Sequence, residues 1–204
     1  MIDKIGYLLS RAISRKPSAK KNSKIDKTAA VGNGAQIVNS TIGRYTYIFE
    51  SKLINADVGS FCSIAADCTI GGGSHPTNWV STSPVFYNGK NCLKKKFSIN
   101  VYDEFQRTII ENDVWIGSKC LIKSGVKIGN GAIVGMGSVV THDIPPYEIW
   151  AGNPAKKIRN RFSDDIIEEL CKNKWWEMDD KTLVQLGKYF NNPELFLKCL
   201  EERK

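Results

Sequence analysis

Between Val114 and Thr141 an aliphatic residue returns at every sixth position: Ile116, Ile122, Ile128, Val134 and Val140. Two residues ahead of each stands a small or apolar companion: Val114, Cys120, Val126, Ala132 and Ser138. Gly117, Gly129 and Gly135 directly follow ladder positions, where a bend between short strands tolerates a missing Cβ. The same phase runs upstream through Val31 and Ile37, then Ile42, Ile48 and Ile54, then Val58, Ile64 and Ile70, with two slips of register between the runs. A six-residue period fits neither the helical repeat of 3.6 nor the strand repeat of 2. It fits a coil of short strands, each adding one aliphatic side chain to an interior stack while its backbone pairs with the coils above and below. A β-sandwich with chance spacing would not hold phase over five consecutive repeats together with a matched small set. The ladder therefore predicts an all-β chain with a parallel β-helix over 29–160.

The phase fails over residues 71–108, in the stretch from GGGSHPTNWVSTSPVFY to VYDEFQR. That is longer than the roughly 15 residues an ordinary connection needs. It also holds Trp79, Phe86, Tyr87, Phe97, Tyr102 and Phe105, too many aromatics for a solvated linker. A structured loop excursion is expected. Beyond Phe162 the period changes again, with Ile166, Ile167 and Leu170, then Leu183, Leu186, Tyr189 and Phe190, predicting short helices over 161–204 that cap the open end of the coil. Trp175 and Trp176 read as packing residues of that segment.

Residues 1–28 precede the ladder as a basic arm. Ile5, Leu8, Leu9, Ala12 and Ile13 have helix-like spacing, and the stretch from Arg11 to Lys27 carries Arg11, Arg15, Lys16, Lys20, Lys21, Lys24 and Lys27 against only Asp26. Such an arm is either simply solvated or makes a peripheral contact with an anionic membrane surface or acidic partner.

Composition narrows the picture. A chain of 204 residues, 42% hydrophobic, buries one sizeable core. No apolar run nears the ~18 residues of a membrane span, and the N-terminus has no compact apolar signal region, so a cytoplasmic location is expected. The net charge of +8 sits largely near the ends, which argues against nucleic acid as the partner. The six cysteines form no CxxC pair and are expected as thiols, with Cys62, Cys68 and Cys120 at an inward phase of the ladder where they pack.

The chain has two histidines, His75 and His142. His75 follows three glycines and precedes Pro76 at the break in the ladder, on a constrained turn. Imidazole can take and return a proton near neutral pH. A lone histidine could equally be structural.

The runs IGGGSHPTNWVSTSPVFY and DVWIGSKCLIKSGVKIGNGAIVGMGSVVTHDIPPYEIWAGNPAKKIRNRF, with the Trp175–Trp176 pair, resemble the xenobiotic-acetyltransferase branch of the left-handed β-helix acyltransferases. That branch includes antibiotic acetyltransferases and sugar or capsular-polysaccharide O-acetyltransferases. The likeness runs from about residue 29 to the C-terminus; its second half marks the superfamily, and SHPTNWVSTSP is the narrower signature. The left hand of the coil comes from this resemblance, since most crossovers between parallel strands are right-handed.

The resemblance implies transfer of acetyl from acetyl-CoA, as co-substrate, to an acceptor hydroxyl or amine, with His75 as general base and no metal. It implies CoA contacts from Trp115, Ser118, Met136, Thr141, His142, Lys156 and Arg159. His142 stands where a lysine is common, which puts a phosphate contact from that position in doubt. A homotrimer with each CoA site between neighbouring coils is implied as well. Tyr45, Tyr47 and Trp79 are candidates for the acceptor wall.

A sugar hydroxyl of a surface polysaccharide is the preferred acceptor, with an antibiotic of the streptogramin or chloramphenicol type or an amino-sugar nitrogen as alternatives. The γ-type carbonic anhydrases share the coil but bind zinc through three histidines, and this chain has two. A non-catalytic β-helix scaffold leaves the histidine-bearing aromatic loop unexplained.

Overall fold

The computed structural model describes residues 17–203. The expected helix-like segment around Ile5 to Ile13 lies outside them. Among the described residues seventeen short strands stack in parallel on three faces, and an eighteenth closes the third face antiparallel. Consecutive strands visit the first, second and third face in turn, so each circuit of the chain is one coil of a three-sided prism.

The backbone registers resolve the six-residue ladder into three interior columns. Ile37, Leu53, Ile70, Ile122 and Val140 stack on the first face. Ile25, Ile42, Val58, Ile110 and Ile128 stack on the second, with Ile144 bridging to Ile128. Val31, Ile48, Ile64, Ile116, Val134 and Trp150 form the third. Each column is a row of apolar groups, aliphatic except for Trp150, about 4.8 Å apart, the spacing of adjacent strands. Together they make one continuous core that also takes in Cys62, Cys68 and Cys120. Burial pushes the Cys62 thiol up to about 12, which keeps it protonated and inert.

Four expectations need correction. Leu53, not Ile54, occupies the interior column, because the corners from Ile48 to Leu53 and from Leu53 to Val58 are one residue shorter than the six-residue step. The coil also begins ten residues before the expected boundary at 29, with strands Ala19–Lys21 and Lys24–Ile25 already paired, so residues 19–28 are its first turn and not an arm. At the far end the strand Ala155–Asn160 turns back along Glu148–Gly152, so the last part of 29–160 is a hairpin and not a further coil.

The fourth correction concerns the C-terminal helices, α1 (Asp164–Asn173), α2 (Asp180–Leu186) and α3 (Pro193–Glu201). They run lengthwise down the edge between the second and third faces instead of capping the coil end. At five successive corners of this edge one residue has a left-handed backbone: Tyr45, Phe61, Asp113, Gly131 and Tyr147, with φ between 55 and 67°. The side chains of the four that are not glycine project toward the C-terminal segment. The Phe61 ring lies 4.9 Å from that of Trp175, and the Tyr147 ring 5.8 Å from that of Phe162. Gly131 must lack a side chain, because a Cβ there would sit 2.4 Å from the Tyr147 ring. Arg161 ties the segment to the coil, donating to Asp113 at 3.1 Å and to the Gly131 carbonyl at 2.6 Å. Lower down, Arg44 donates to the carbonyls of Trp176 and Met178. Trp175 and Trp176 are buried at the centre of this second core.

Candidate active site

The long loop replaces one corner of the edge between the first and second faces. It leaves the first face at Gly71, the end of strand Thr69–Gly71, and rejoins the second at Thr108, the start of strand Thr108–Ile110. Gly71 has φ +72°, and a Cβ on it would meet the Ile54 carbonyl oxygen at 2.2 Å, so the exit requires glycine. The two limbs of the loop are stitched at its root: the Ser74 amide donates to the Glu104 carbonyl at 2.8 Å, and the Ser74 and Tyr102 hydroxyls lie 3.0 Å apart.

The loop carries its own small core. Tyr87 is buried and packs against Tyr102 at 5.2 Å and Trp79 at 6.3 Å, while Trp79 lies 5.8 Å from Tyr102. Lys96 reaches under this core to the Pro84 carbonyl at 2.7 Å and to the Tyr87 carbonyl. A segment held by this many contacts is a rigid mount for what it presents.

It presents His75. The imidazole is exposed, and its Nδ1 lies 2.9 Å from the Thr82 carbonyl oxygen and 3.0 Å from the Tyr87 hydroxyl. A carbonyl oxygen can only accept, so the proton belongs on Nδ1 and the Tyr87 oxygen accepts a share of the same N–H. That tautomer leaves the Nε2 lone pair free, and no described residue bonds to it. Backbone carbonyls commonly orient a histidine in this way. Burial raises the Tyr87 hydroxyl's pKa, which keeps it neutral beside the ring. Tyr87 stood among the loop aromatics in the sequence but nothing there paired it with His75; the Thr82 carbonyl is main chain and leaves no residue signal.

Eight of the remaining candidates fall in four places. Trp115 and Tyr47 lie in one outward row of the third face, both paired with Ser63, about 10 Å apart across two strand spacings. Both are exposed, and Tyr47 packs edge-on to Phe49 at 5.3 Å. Ser118 and Met136 meet on the edge between the third and first faces, where the Ser118 carbonyl accepts from the Gly137 amide at 2.8 Å. Met136 is 77% exposed there, and a Cβ on Gly117 would lie 2.6 Å from its amide nitrogen, so that glycine serves close stacking of successive corners. Lys156 and Arg159 are exposed on the closing hairpin, opposite Ala151 and Ile149. Thr141 and His142, joined by a 2.9 Å hydrogen bond, stand on the same edge as the His75 loop.

One chain thus gathers Trp115, Ser118, Met136, Lys156 and Arg159 around the third face, while His75 sits on the edge opposite that face. Trp79 belongs to the loop beside His75 and lines an apolar groove with Val80 and Phe86. Tyr45 does not join any of these groups. Its hydroxyl donates to Asp180 and its ring lies 5.2 Å from Phe61, so it docks the C-terminal helices. Among the described residues no group of three or more histidine, cysteine or acidic side chains is placed to hold a metal ion.

A three-faced hexapeptide coil interrupted by a histidine-bearing loop defines a class, and comparison with known proteins agrees. Residues 107–142 match the family model "Bacterial transferase hexapeptide (six repeats)". The chain is 40% identical over 134 residues to a probable macrolide acetyltransferase of Lysinibacillus sphaericus, covering 65% of this chain and 72% of that one. It is 41% identical over 139 residues to a chloramphenicol acetyltransferase of Klebsiella aerogenes, covering 65% of this chain and 64% of the relative, so it spans a little under two thirds of that enzyme's length. Among solved structures, the polySia specific acetyltransferase NeuO superposes with a TM-score of 0.50 at 26% identity, over 75% of this chain and 71% of that one. The chain belongs to the hexapeptide-repeat acetyltransferase family.

Proposed function

We propose that the protein is an acetyl-CoA-dependent O-acetyltransferase whose acceptor is a hydroxyl of a sugar or surface polysaccharide. The observation that carries the reading is the His75 imidazole, held as the Nδ1–H tautomer by the Thr82 carbonyl with Nε2 unpaired and exposed. Acetyl-CoA supplies the acetyl group as an activated thioester. His75 Nε2 takes the proton of the acceptor hydroxyl as its oxygen attacks the thioester carbonyl, then returns that proton to the departing thiolate; such general-base work contributes about 10²–10⁴-fold. Tyr87 and Thr82 hold the ring, so the base is positioned before the acceptor arrives.

The residues fit the donor. Trp115 and Met136 offer exposed apolar surface to a pantetheine arm, and the exposed cations Lys156 and Arg159 suit its phosphates. Because these lie around the third face and His75 on the opposite edge, a working site needs the loop of one copy against the third face of the next. Three-fold closure satisfies this for every copy at once, which supports a homotrimer.

A second reading, acetylation of an antibiotic hydroxyl, is favoured by the identity to chloramphenicol and macrolide acetyltransferases. The deciding experiment assays thiol release from acetyl-CoA against oligosaccharides, nucleotide-sugars, chloramphenicol and a macrolide. Selective turnover of the saccharides is expected. Turnover of the drugs alone would replace the acceptor, and failure of acetyl-CoA to raise the thermal midpoint at concentrations well above micromolar would sink the enzyme reading altogether.

A further inference from the structure

Below the loop, the edge between the first and second faces carries a feature the proposed chemistry does not use. Asn22, Asn39 and Asn55 occupy equivalent corners of three successive coils, each with a left-handed backbone at φ 49, 48 and 57°. Adjacent coils are about 4.8 Å apart, so the amides form a comb along the edge. With Lys24, Thr41 and Arg107 they line an open groove of about 450 Å³. The upper end of the groove joins the loop root: Asn55 Nδ2 donates to the Phe105 carbonyl, and the neighbouring Glu104 carbonyl accepts from the amide of Ser74, the residue before His75.

The lower two amides are unused. The side chains of Asn22 and Asn39 make no hydrogen bond with any described residue, although asparagine offers two donors and an acceptor. The charge around them is positive. Arg107 is tied to Asp57 at 2.9 Å, whereas Lys24 makes no ion pair with a described residue, and Lys20 and Lys21 are exposed on the adjoining strand. An apolar drug finds little here to bury against. A chain of linked sugars does: its hydroxyls repeat along its length as the amides do, and carboxylates on it would answer the lysines.

Resting on the proposed function, we infer that this groove is an extended subsite for an acidic polysaccharide, binding units of the acceptor chain beyond the one offered to His75. The consequence is affinity that grows with chain length.

The test is direct binding, read by fluorescence polarisation on the full chain with a labelled hexamer of α2,8-linked sialic acid as probe. Monomeric sialic acid and neutral maltohexaose serve as competitors. The hexamer is expected to bind at least tenfold more tightly than either competitor, more weakly at high salt, and equally well to the His75→Ala chain. Asn22→Gly with Asn39→Gly removes both amides while keeping a residue that tolerates positive φ, so the thermal midpoint should hold. That double variant, and Lys24→Gln, should each weaken the hexamer at least fivefold. Equal binding of monomer and hexamer, equal binding of maltohexaose, or an unaltered hexamer affinity in a folded double variant overturns the inference. Hexamer binding without acetyl transfer to any acceptor leaves the subsite standing and removes the proposed function; transfer to monomer and hexamer with no gain in affinity does the reverse.

Discussion

The Nδ1 atom of His75 and the hydroxyl of Tyr87 are 3.0 Å apart, and the same Nδ1 faces the Thr82 carbonyl at 2.9 Å. The two partners do different work. The carbonyl decides which nitrogen carries the proton, and the buried phenol limits how the ring can turn.

Under the proposed function His75→Ala should therefore lower kcat by about 10²–10⁴-fold while leaving acetyl-CoA affinity within twofold. Tyr87→Phe keeps the packing and the Thr82 bond, so a several-fold loss in kcat is expected. Steady-state kinetics with the best acceptor and calorimetric titration of CoA give both readings; an unchanged kcat in His75→Ala removes the general base.

Gly71→Ala tests the loop exit separately from the chemistry. The new methyl group would lie 2.2 Å from the Ile54 carbonyl oxygen, on a residue at φ +72°. Strain of this kind costs about 1–3 kcal/mol, and the local escape is a shift of the loop root that moves His75. Activity is expected to fall with only a partial loss of stability in chemical denaturation, whereas Gly137→Ala, at φ +71° with nothing within 4 Å, should lose only the backbone term.

Arg44→Met tests the C-terminal splint. Arg44 donates to Trp176 O at 2.9 Å, pairs with Asp180 at 3.3 Å, and lies over the Phe61 ring at 5.2 Å. Hydrogen bonds from a charged group contribute about 1.5–3 kcal/mol each, so a loss of about 2 kcal/mol is expected with the three-faced core intact. Limited proteolysis should cut first within residues 174–180, and cleavage within the coil instead would contradict this layout.

The pair Asp113–Arg161 predicts a pH dependence. Burial raises the Asp113 pKa above 3.8, and the adjacent Arg161 guanidinium only partly opposes this. The folded state therefore holds this proton more tightly than the unfolded chain. Its contribution to stability is full below pH 3.8 and is lost as pH rises through the higher folded value. In urea titrations at a series of pH values, Asp113→Asn should lack this component. A variant whose stability follows the wild-type pH profile in that window would show that Asp113 is not its source.

The ladder was legible because a β-helix repeats one local pattern. Each of Ile116, Ile122, Ile128, Val134 and Val140 faces the same interior for the same reason, so the period alone implied a coiled core, and its failure after Ile70 located the loop and His75. The sequence did not carry what depends on contacts between distant segments. Leu53 displaced Ile54 because the span from Ile48 to Val58 is divided into two steps of five residues, a division that the ladder on either side, in phase up to Ile48 and again from Val58, does not reveal. Tyr45 went to the C-terminal helices, and those helices to an edge instead of an end, because the left-handed corners at Tyr45, Phe61, Asp113 and Tyr147 line up only once the coils are stacked. The tautomer of His75 rests on a main-chain oxygen that no side chain announces. Hydrophobic period is a property of neighbours along the chain, so sequence determined the core; edges, grooves and proton positions belong to residues brought together across it, and these the tertiary structure decided.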